Sequence, residues 1–331
     1  MKQIYGIDLA KEKFDINYVN KDEKVIHRII KNRYSSIVKF LKGLPSDVLL
    51  CAEHTGAYGE LLVFLANIMD VEICLISGYE IKHSLGLSKG KSDKLDAKRI
   101  REYGERFKDK LESRKILSEN LSELKELHTL RSQLVKERKM ILCHEQIKEQ
   151  KPYNSIIANG ITQKQILHLD QCIDEIEDEM LNIIRSDKAL FDNYKLVNSI
   201  KGIGPVTTCE LIIKTENFTK IDTAKKASSF AGVCPFPNST GKMVGKSKVS
   251  KMSDKKLKSL LHMCAKTAVQ HNKEFKLYYE KKKQEGKPYY LIMNNVSNKL
   301  LRTIYAVIES RLPYDPNYIC LDPREIEKIV A

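Results

Sequence analysis

The sequence predicts an α/β plus α architecture, with a mixed sheet covered by helices, a long helical spacer and a mostly helical carboxy-terminal domain. Three observations favour it. Short apolar runs typical of strands dominate the beginning of the chain, almost no Gly or Pro interrupts the middle, and amphipathic helical patterns return towards the end. We expect domains at residues 1–110, 111–192 and 193–331.

The first domain is predicted from the order of its strands. The segments "QIYGIDLA", "KFDINYVN" and "KVIHRII" favour three consecutive strands, and a helical stretch follows around residues 37–41. The apolar runs "VLLCAE" and "VEICLIS" then flank the helical pattern "YGELLVFLANIMD". Consecutive strands followed by strands that alternate with helices are typical of a ribonuclease-H-like mixed sheet.

The middle domain is predicted from a heptad seam, which follows a less regular stripe of leucines. Two long helices joined near "KPYNSIIANGIT" are expected, either as an antiparallel hairpin that packs only on itself or as a dimerising coiled coil. The seam repeats at alternating spacings of 3 and 4 and consists of Ile166, Leu169, Ile173, Ile176, Met180 and Ile183.

Composition indicates which kinds of molecule the protein can bind. The 331 residues include 57 Lys and Arg against 43 Asp and Glu, and the net charge of +14 favours a polyanion, with nucleic acid first. No apolar run approaches the roughly 20 residues that span a bilayer, and the start lacks the order of a signal peptide. We therefore expect a cytoplasmic protein without a membrane partner. The 8 cysteines are scattered singly, without a C-x-x-C pair for zinc or redox chemistry.

Four acidic residues form the first candidate site. Asp8 and Glu53 end apolar strands, where an unpaired carboxylate is costly unless a cation compensates it. Asp93 and Asp96 in "KSDKLDA" are three residues apart and share one helical face. That pair alone is better explained by a solvated helix start. With Asp8 and Glu53 in the same region, Mg²⁺ or Mn²⁺ binding becomes the favoured interpretation.

A hydroxyl segment forms the second candidate site. In "GVCPFPNSTGKMVGKSKVSK", Ser239 and Thr240 precede Gly241 among turn residues, which predicts a flexible loop. Such a hydroxyl can approach a phosphodiester, although no nearby His or Asp could activate it. Catalysis and a loop that only grips phosphate are therefore equally supported by the residues alone. The lysines expected to contact nucleic acid include Lys242, Lys246, Lys248 and Lys251.

Two smaller features have a functional and a structural explanation. Gly202 and Gly204 in "KGIGP" are typical of a helix-hairpin-helix turn whose amides contact phosphate, or of a plain tight turn. Tyr289 and Tyr290 in "GKPYYLIMNN" suit stacking on nucleic-acid bases, and core or surface packing explains them equally well.

The motifs resemble a known family. In order and spacing, "YGIDLAKEKFD", "AEHTGAYGE" and "KSDKLDAKRI" resemble the DEDD motif of RuvC-like domains in the insertion-sequence transposases of family one hundred and ten, relatives of the Piv invertases. The segments "IKGIGPVTTCELI", "SFAGVCPFPNSTG" and "VSKMSDKKLKSLL" resemble the second transposase domain of that family. The resemblance implies a metal-binding tetrad of Asp8, Glu53, Asp93 and Asp96.

The resemblance also implies a serine nucleophile before a glycine, a phosphoserine link to DNA and a structured bridge RNA that pairs with donor and target DNA. Here Thr240 directly precedes the glycine, and Ser239 is assigned because it is the only serine of the motif. Thr240 is the alternative.

The expected function is that of an insertion-sequence transposase which cuts and rejoins the ends of its mobile element and target DNA. We expect it to act as a dimer or tetramer. One alternative is a metal-dependent nuclease of the Holliday-junction type that uses water in place of the serine. The other is a nucleic-acid-binding scaffold without chemistry.

Overall fold

The structure is a computed structural model that describes residues 2–84, 86, 90, 92–148, 150, 153, 155–241 and 243–317. Its contacts divide the chain into two compact units, residues 1–117 and 118–331, which are described one at a time. The finer division at residues 110 and 192 stays a prediction. None of the described helices is long and apolar enough to cross a membrane.

The first unit is built on a five-stranded mixed sheet with the strand order β3-β2-β1-β4-β5. Its strands are β1 (Gln3–Leu9), β2 (Lys13–Val19), β3 (Val25–Lys31), β4 (Val48–Glu53) and β5 (Glu72–Ile76). Its helices are α1 (Tyr34–Lys42), α2 (Glu60–Ile68), α3 (Gly78–Ser84) and α4 (Asp93–Arg106). Short 3-10 turns cover Gly56–Gly59 and Lys108–Lys110. The five strands predicted from the sequence are confirmed.

The two faces of this sheet are covered differently. β1 pairs with β2, and β2 with β3, in antiparallel fashion, whereas β1 with β4 and β4 with β5 are parallel. On one face, the fully buried side chains of Ile7, Phe14 and Leu50 pack with those of α1 and α2. The opposite face of β1, β2 and β4 is covered by α4.

A glycine allows α4 to lie close to the sheet. A Cβ atom on Gly6 would overlap the carbonyl oxygen of Ala97 and the backbone nitrogen of Arg101, so no larger residue fits at this crossing. The Arg101 side chain is buried there, and its Nε donates to Asn17 Oδ1 at 2.8 Å. The crossing fixes α4, and with it the acidic first turn of α4, over the β1–β2 pair.

The second unit is mostly helical, as predicted. Its helices are α5 (Glu119–Lys148), α6 (Ile156–Ser186), α7 (Lys188–Asn198), α8 (Pro205–Thr215), α9 (Ala224–Phe230), α10 (Lys255–His271), α11 (Lys273–Gln284) and α12 (Tyr289–Ser310). The long helices α5 and α6 pack against each other. Arg131 pairs with Glu177, and Arg138 with Asp170, so the two helices run antiparallel. Most of the predicted apolar seam of α6 is buried.

One predicted loop is a β-hairpin. Strands β6 (Pro235–Thr240) and β7 (Met243–Val249) pair in antiparallel register, so Ser239 and Thr240 lie on a strand and the predicted flexible loop is wrong. The register joins Thr240 to Met243 and leaves a two-residue connection that contains Gly241 in the left-handed conformation, with φ 55°. Such a connection satisfies the backbone hydrogen bonds that a loop would leave to water.

Candidate active site

The first unit brings together the four acidic residues predicted from the sequence. Asp8 lies near the end of β1, and Glu53 is the last residue of β4, its parallel neighbour. The register and the alternation of side chains place both on the sheet face that α4 covers. Asp93 and Asp96 stand in the first turn of α4, which Ser92 caps by accepting a hydrogen bond from the amide of Leu95 at 3.3 Å. The predicted helix start is confirmed.

The grouping changes the protonation of Asp8. Its side chain is half-buried between the sheet and α4. Burial, followed by the negative charges of its acidic neighbours, raises the pKa of the Asp8 carboxyl to about 6. Those neighbours, in order of effect, are Asp96, Asp93, Glu53 and Asp15. We call these five residues the acid cluster.

Sequence reasoning missed Asp15. Its Cα atom lies opposite that of Asp8 in the β1–β2 register, so both side chains leave the same face of the sheet. Asp15 is 3% exposed and contacts His27 Nε2 at 2.6 Å. The alternation in "KFDINYV" places Asp15 inside a strand, but only the register between β1 and β2 shows that Asp15 lies beside Asp8. Asp15 therefore adds a fifth carboxylate that already has a partner.

Two basic side chains neutralise part of the negative charge of the acid cluster. Lys13 Nζ lies 3.2 Å from Asp93 Oδ2 and 3.4 Å from Asp15 Oδ2, and Arg99 Nη1 donates to Asp96 Oδ1 at 2.9 Å. In this arrangement no three His, Cys, Asp or Glu side chains of the described residues converge as ligands of a metal ion. The carboxylates are near one another, but Asp93 and Asp96 are engaged by cationic side chains.

The second unit presents both candidate nucleophiles to solvent. Ser239 and Thr240 are exposed, and no hydrogen bond joins either hydroxyl to another described residue. Because they are adjacent in a strand, the two side chains leave opposite faces of the hairpin. A reactive phosphate on one face could therefore reach only one of them.

The predicted phosphate-binding residues have different outcomes. Lys248 and Lys251 are exposed, Lys242 lies outside the described residues, and nothing is described of the Lys246 side chain. Gly202 has a structural reason to be glycine: its φ is 109°, and a Cβ atom there would lie 2.7 Å from that of Ala268 in α10. Gly204 is exposed and directly precedes α8.

A second buried carboxylate, absent from the sequence predictions, lies in the second unit. Glu210 of α8 is 1% exposed, and its Oε2 lies 2.6 Å from His128 Nε2 and 2.8 Å from Lys256 Nζ. Burial alone would raise the pKa of Glu210, but the hydrogen bonds from His128 and Lys256 outweigh it and lower the pKa. We call these three residues the buried ion cluster. Its members come from three helices far apart in sequence, so no local pattern marks it.

Two family models match the chain. A DEDD transposase model of the IS110 group covers residues 5–146, and the transposase IS116/IS110/IS902 family model covers residues 194–280. The first match contains all five residues of the acid cluster, and the second contains the hairpin with Ser239.

Curated relatives agree with these matches. The chain is 26% identical over 327 residues to the pilin gene-inverting proteins of Moraxella lacunata and Moraxella bovis, a similarity that covers 95% of this chain and 98% of each relative. An insertion element IS116 protein of Streptomyces clavuligerus is 24% identical over 46% of this chain and 37% of that protein. The fold and the matches define a DNA-recombining enzyme. Within that class, the chain belongs to the IS110 family of transposases.

Proposed function

We propose that this transposase cuts and rejoins DNA by phosphoryl transfer, with Ser239 as nucleophile and a divalent metal ion held by Asp8, Glu53, Asp93 and Asp96 in a RuvC-like, ribonuclease-H-like domain. The observation that carries the proposal is the raised pKa of the Asp8 carboxyl. Burial, and then the charges of four other acids, raise the pKa of this half-buried carboxyl to about 6. A folded protein tolerates such repulsion between carboxylates at a site that binds a cation when the protein is active.

The chemistry of the acid cluster fits Mg²⁺ or Mn²⁺. Carboxylate oxygens are the hard ligands that these ions take, and a half-buried group of like charges gains most from a dication. Asp93 and Asp96 would have to leave Lys13 and Arg99 to join Asp8 and Glu53. Both acids are in a short helical turn at the edge of solvent, where side-chain rotation is inexpensive. Asp15 stays with His27 and orients the cluster from behind.

A bound divalent ion would neutralise phosphate charge and stabilise the oxygen that leaves a phosphodiester. The residues of the chain supply the remaining parts. Ser239 Oγ attacks the phosphorus and loses its proton, a phosphoserine ester forms, and the departing sugar oxygen takes up a proton. Attack of a DNA hydroxyl on that ester reverses the bonds and rejoins the strand. Lys248 and Lys251, exposed beyond the serine, bind the phosphate backbone.

The partners and the assembly belong to the same proposal. DNA of the element ends and of the target is the substrate, and a bridge RNA would supply the base pairing that selects them. The antiparallel pair α5–α6 serves as a coiled-coil spacer, and its exposed apolar side chains support a homo-oligomer, since Leu167 is 62% and Met140 61% exposed. A dimer or tetramer lets a serine from one chain meet the acid cluster of another.

Adduct formation tests the proposal. Wild-type protein, Ser239→Ala and Thr240→Ala are incubated with Mg²⁺ and labelled DNA of the element ends, and protein joined to DNA is measured after denaturation. Wild type and Thr240→Ala should form the adduct, and Ser239→Ala should not. Loss of the adduct in Thr240→Ala alone would make Thr240 the nucleophile. Hydrolysis without an adduct in all three proteins would identify a metal-dependent nuclease that uses water.

A further inference from the structure

Four aromatic side chains meet at the surface where α10, α11 and α12 come together. They are His262 of α10, Tyr279 of α11, and Tyr289 and Tyr290 at the start of α12. We call them the aromatic platform. The ring centroids of Tyr289 and Tyr290 are 5.4 Å apart, those of Tyr279 and Tyr289 are 6.4 Å apart, and those of His262 and Tyr290 are 6.3 Å apart. The rings form a continuous surface contributed by three helices.

The aromatic platform is open to solvent. Tyr290 is 77% exposed and Tyr289 is 42% exposed, and the neighbouring Met263 and Leu291 are 58% and 46% exposed. Packing therefore does not explain the rings of Tyr289 and Tyr290, since a tyrosine that served the core would cover most of its face. His262 is half-buried at the edge of the platform. Burial and then the charge of Lys266 lower its pKa, so its ring is neutral at pH 7.

The surroundings of the aromatic platform are strongly basic. Residues 255–290 contain ten lysines against three glutamates. Lys258 and Lys266 stand one turn before and one turn after His262 on α10, and Lys287 precedes Tyr289 by two residues. None of these three lysines forms an ion pair with a carboxylate that the structure describes, whereas Lys282 pairs with Glu285 and Lys299 with Glu274. Cations that form no close ion pair, placed around exposed rings, fit a ligand that has both aromatic faces and phosphates.

We propose that the aromatic platform binds unpaired bases of a DNA strand, with Lys258, Lys266 and Lys287 on its phosphates. Stacking on rings requires bases that are not paired, because the faces of paired bases are hidden inside the duplex. DNA is the substrate class of the family, and strand exchange exposes unpaired bases near the site of cutting. This inference goes beyond the proposed chemistry and does not depend on Ser239.

Binding of single-stranded and duplex DNA of one sequence tests the inference. Fluorescence polarisation with the full-length protein compares wild type with Tyr289→Ala/Tyr290→Ala and with Tyr289→Phe/Tyr290→Phe. The alanine pair should weaken single-strand binding about tenfold or more and leave duplex binding close to wild type. The phenylalanine pair keeps both rings and should bind like wild type. Tyr34→Ala, which removes a tyrosine that is 63% exposed in the first unit, is the matched control and should have no effect.

Three further measurements make the result specific. A strand with a photoreactive iodouracil should crosslink to the peptide that contains Tyr289 and Tyr290, and Lys266→Ala should reduce the salt dependence of single-strand binding. Ser239→Ala should bind as wild type does, which separates this inference from the proposed chemistry. Equal weakening of single-strand and duplex binding would overturn the proposal. So would crosslinking elsewhere, or platform-dependent binding of RNA much tighter than that of DNA.

Discussion

Asp8 and Glu210 are both carboxylates removed from water, and the protein compensates them in opposite ways. Glu210 is surrounded by His128 and Lys256, and its pKa is lowered. Asp8 lies among acids, and burial followed by their charges raises its pKa to about 6. The first arrangement pairs the charge of Glu210 within the folded chain, since its Oε2 contacts both His128 and Lys256. The second leaves negative charge that a further cation could neutralise, and for this reason we propose a functional role for Asp8 and a structural one for Glu210.

The largest expected effect is on adduct formation, which substitution of Asp8 should reduce and substitution of Glu210 should not. Asp8→Asn should lower adduct formation on DNA by about a hundredfold to a thousandfold, because the metal ion loses a ligand and the developing charge is less well stabilised. Glu210→Gln should retain activity per folded molecule close to wild type at a temperature where it is folded. The measurement is the initial rate of adduct formation, normalised to the folded fraction from circular dichroism. Equal loss in both variants would mean that the comparison is wrong.

The second effect concerns stability, for which substitution of Glu210 should matter more than substitution of Asp8. Glu210→Ala should lower the free energy of unfolding by about 3 kcal/mol. The substitution removes the carboxylate that compensates the charge of Lys256 and accepts the hydrogen bond from His128. The figure is at the low end for a buried pair, since the Lys256 side chain is 44% exposed. Urea denaturation measures it. Asp222→Ala, which breaks the exposed pair with Lys226, is the control and should change stability little.

The acid cluster and the buried ion cluster also differ in how far the sequence predicts them. Apolar strands that end in Asp8 and Glu53, and an i, i+3 pair at a capped helix start, are local patterns, so the five strands and four of the five acids could be predicted. Asp15 could not, because its neighbour is set by the β1–β2 register. Glu210 could not, because its partners come from α5 and α10. The hairpin with Ser239 was missed because Pro, Asn and Gly in its sequence are more typical of a loop.

A third effect is the pH dependence of stability. The pKa of Asp8 is raised from an ordinary value of 3.8 to about 6, so between these pH values the folded chain holds a proton that the unfolded chain has lost. Stability without metal should therefore fall as the pH rises from about 4 to 6. Asp8→Asn removes this loss and should gain roughly 1 kcal/mol over wild type at pH 7, after allowance for solvent screening. Thermal unfolding in EDTA across this range measures it. A gain that does not depend on pH would contradict the assignment.

The smallest expected effect concerns Lys13, which lies 3.2 Å from Asp93 and 3.4 Å from Asp15. An ammonium group in that position competes with a bound dication, so Lys13→Met should tighten Mn²⁺ binding by about two- to threefold. Isothermal titration calorimetry measures the change. Lys11→Met, an exposed lysine two residues earlier, should leave Mn²⁺ affinity unchanged. Weaker binding in Lys13→Met would show that Lys13 supports the acid cluster.

The central claim is that the acid cluster binds a divalent ion, and thermal stabilisation by Mg²⁺ tests it most directly. At pH 7.5 without DNA, the Tm of wild type should rise with the logarithm of the Mg²⁺ concentration, by an amount equivalent to about 2.7 kcal/mol at a hundredfold excess over Kd. Asp8→Asn should lose most of that rise, and Glu210→Gln should keep it from its lower starting Tm. A wild-type protein that Mg²⁺ does not stabilise, or a rise that Asp8→Asn retains in full, would contradict the account.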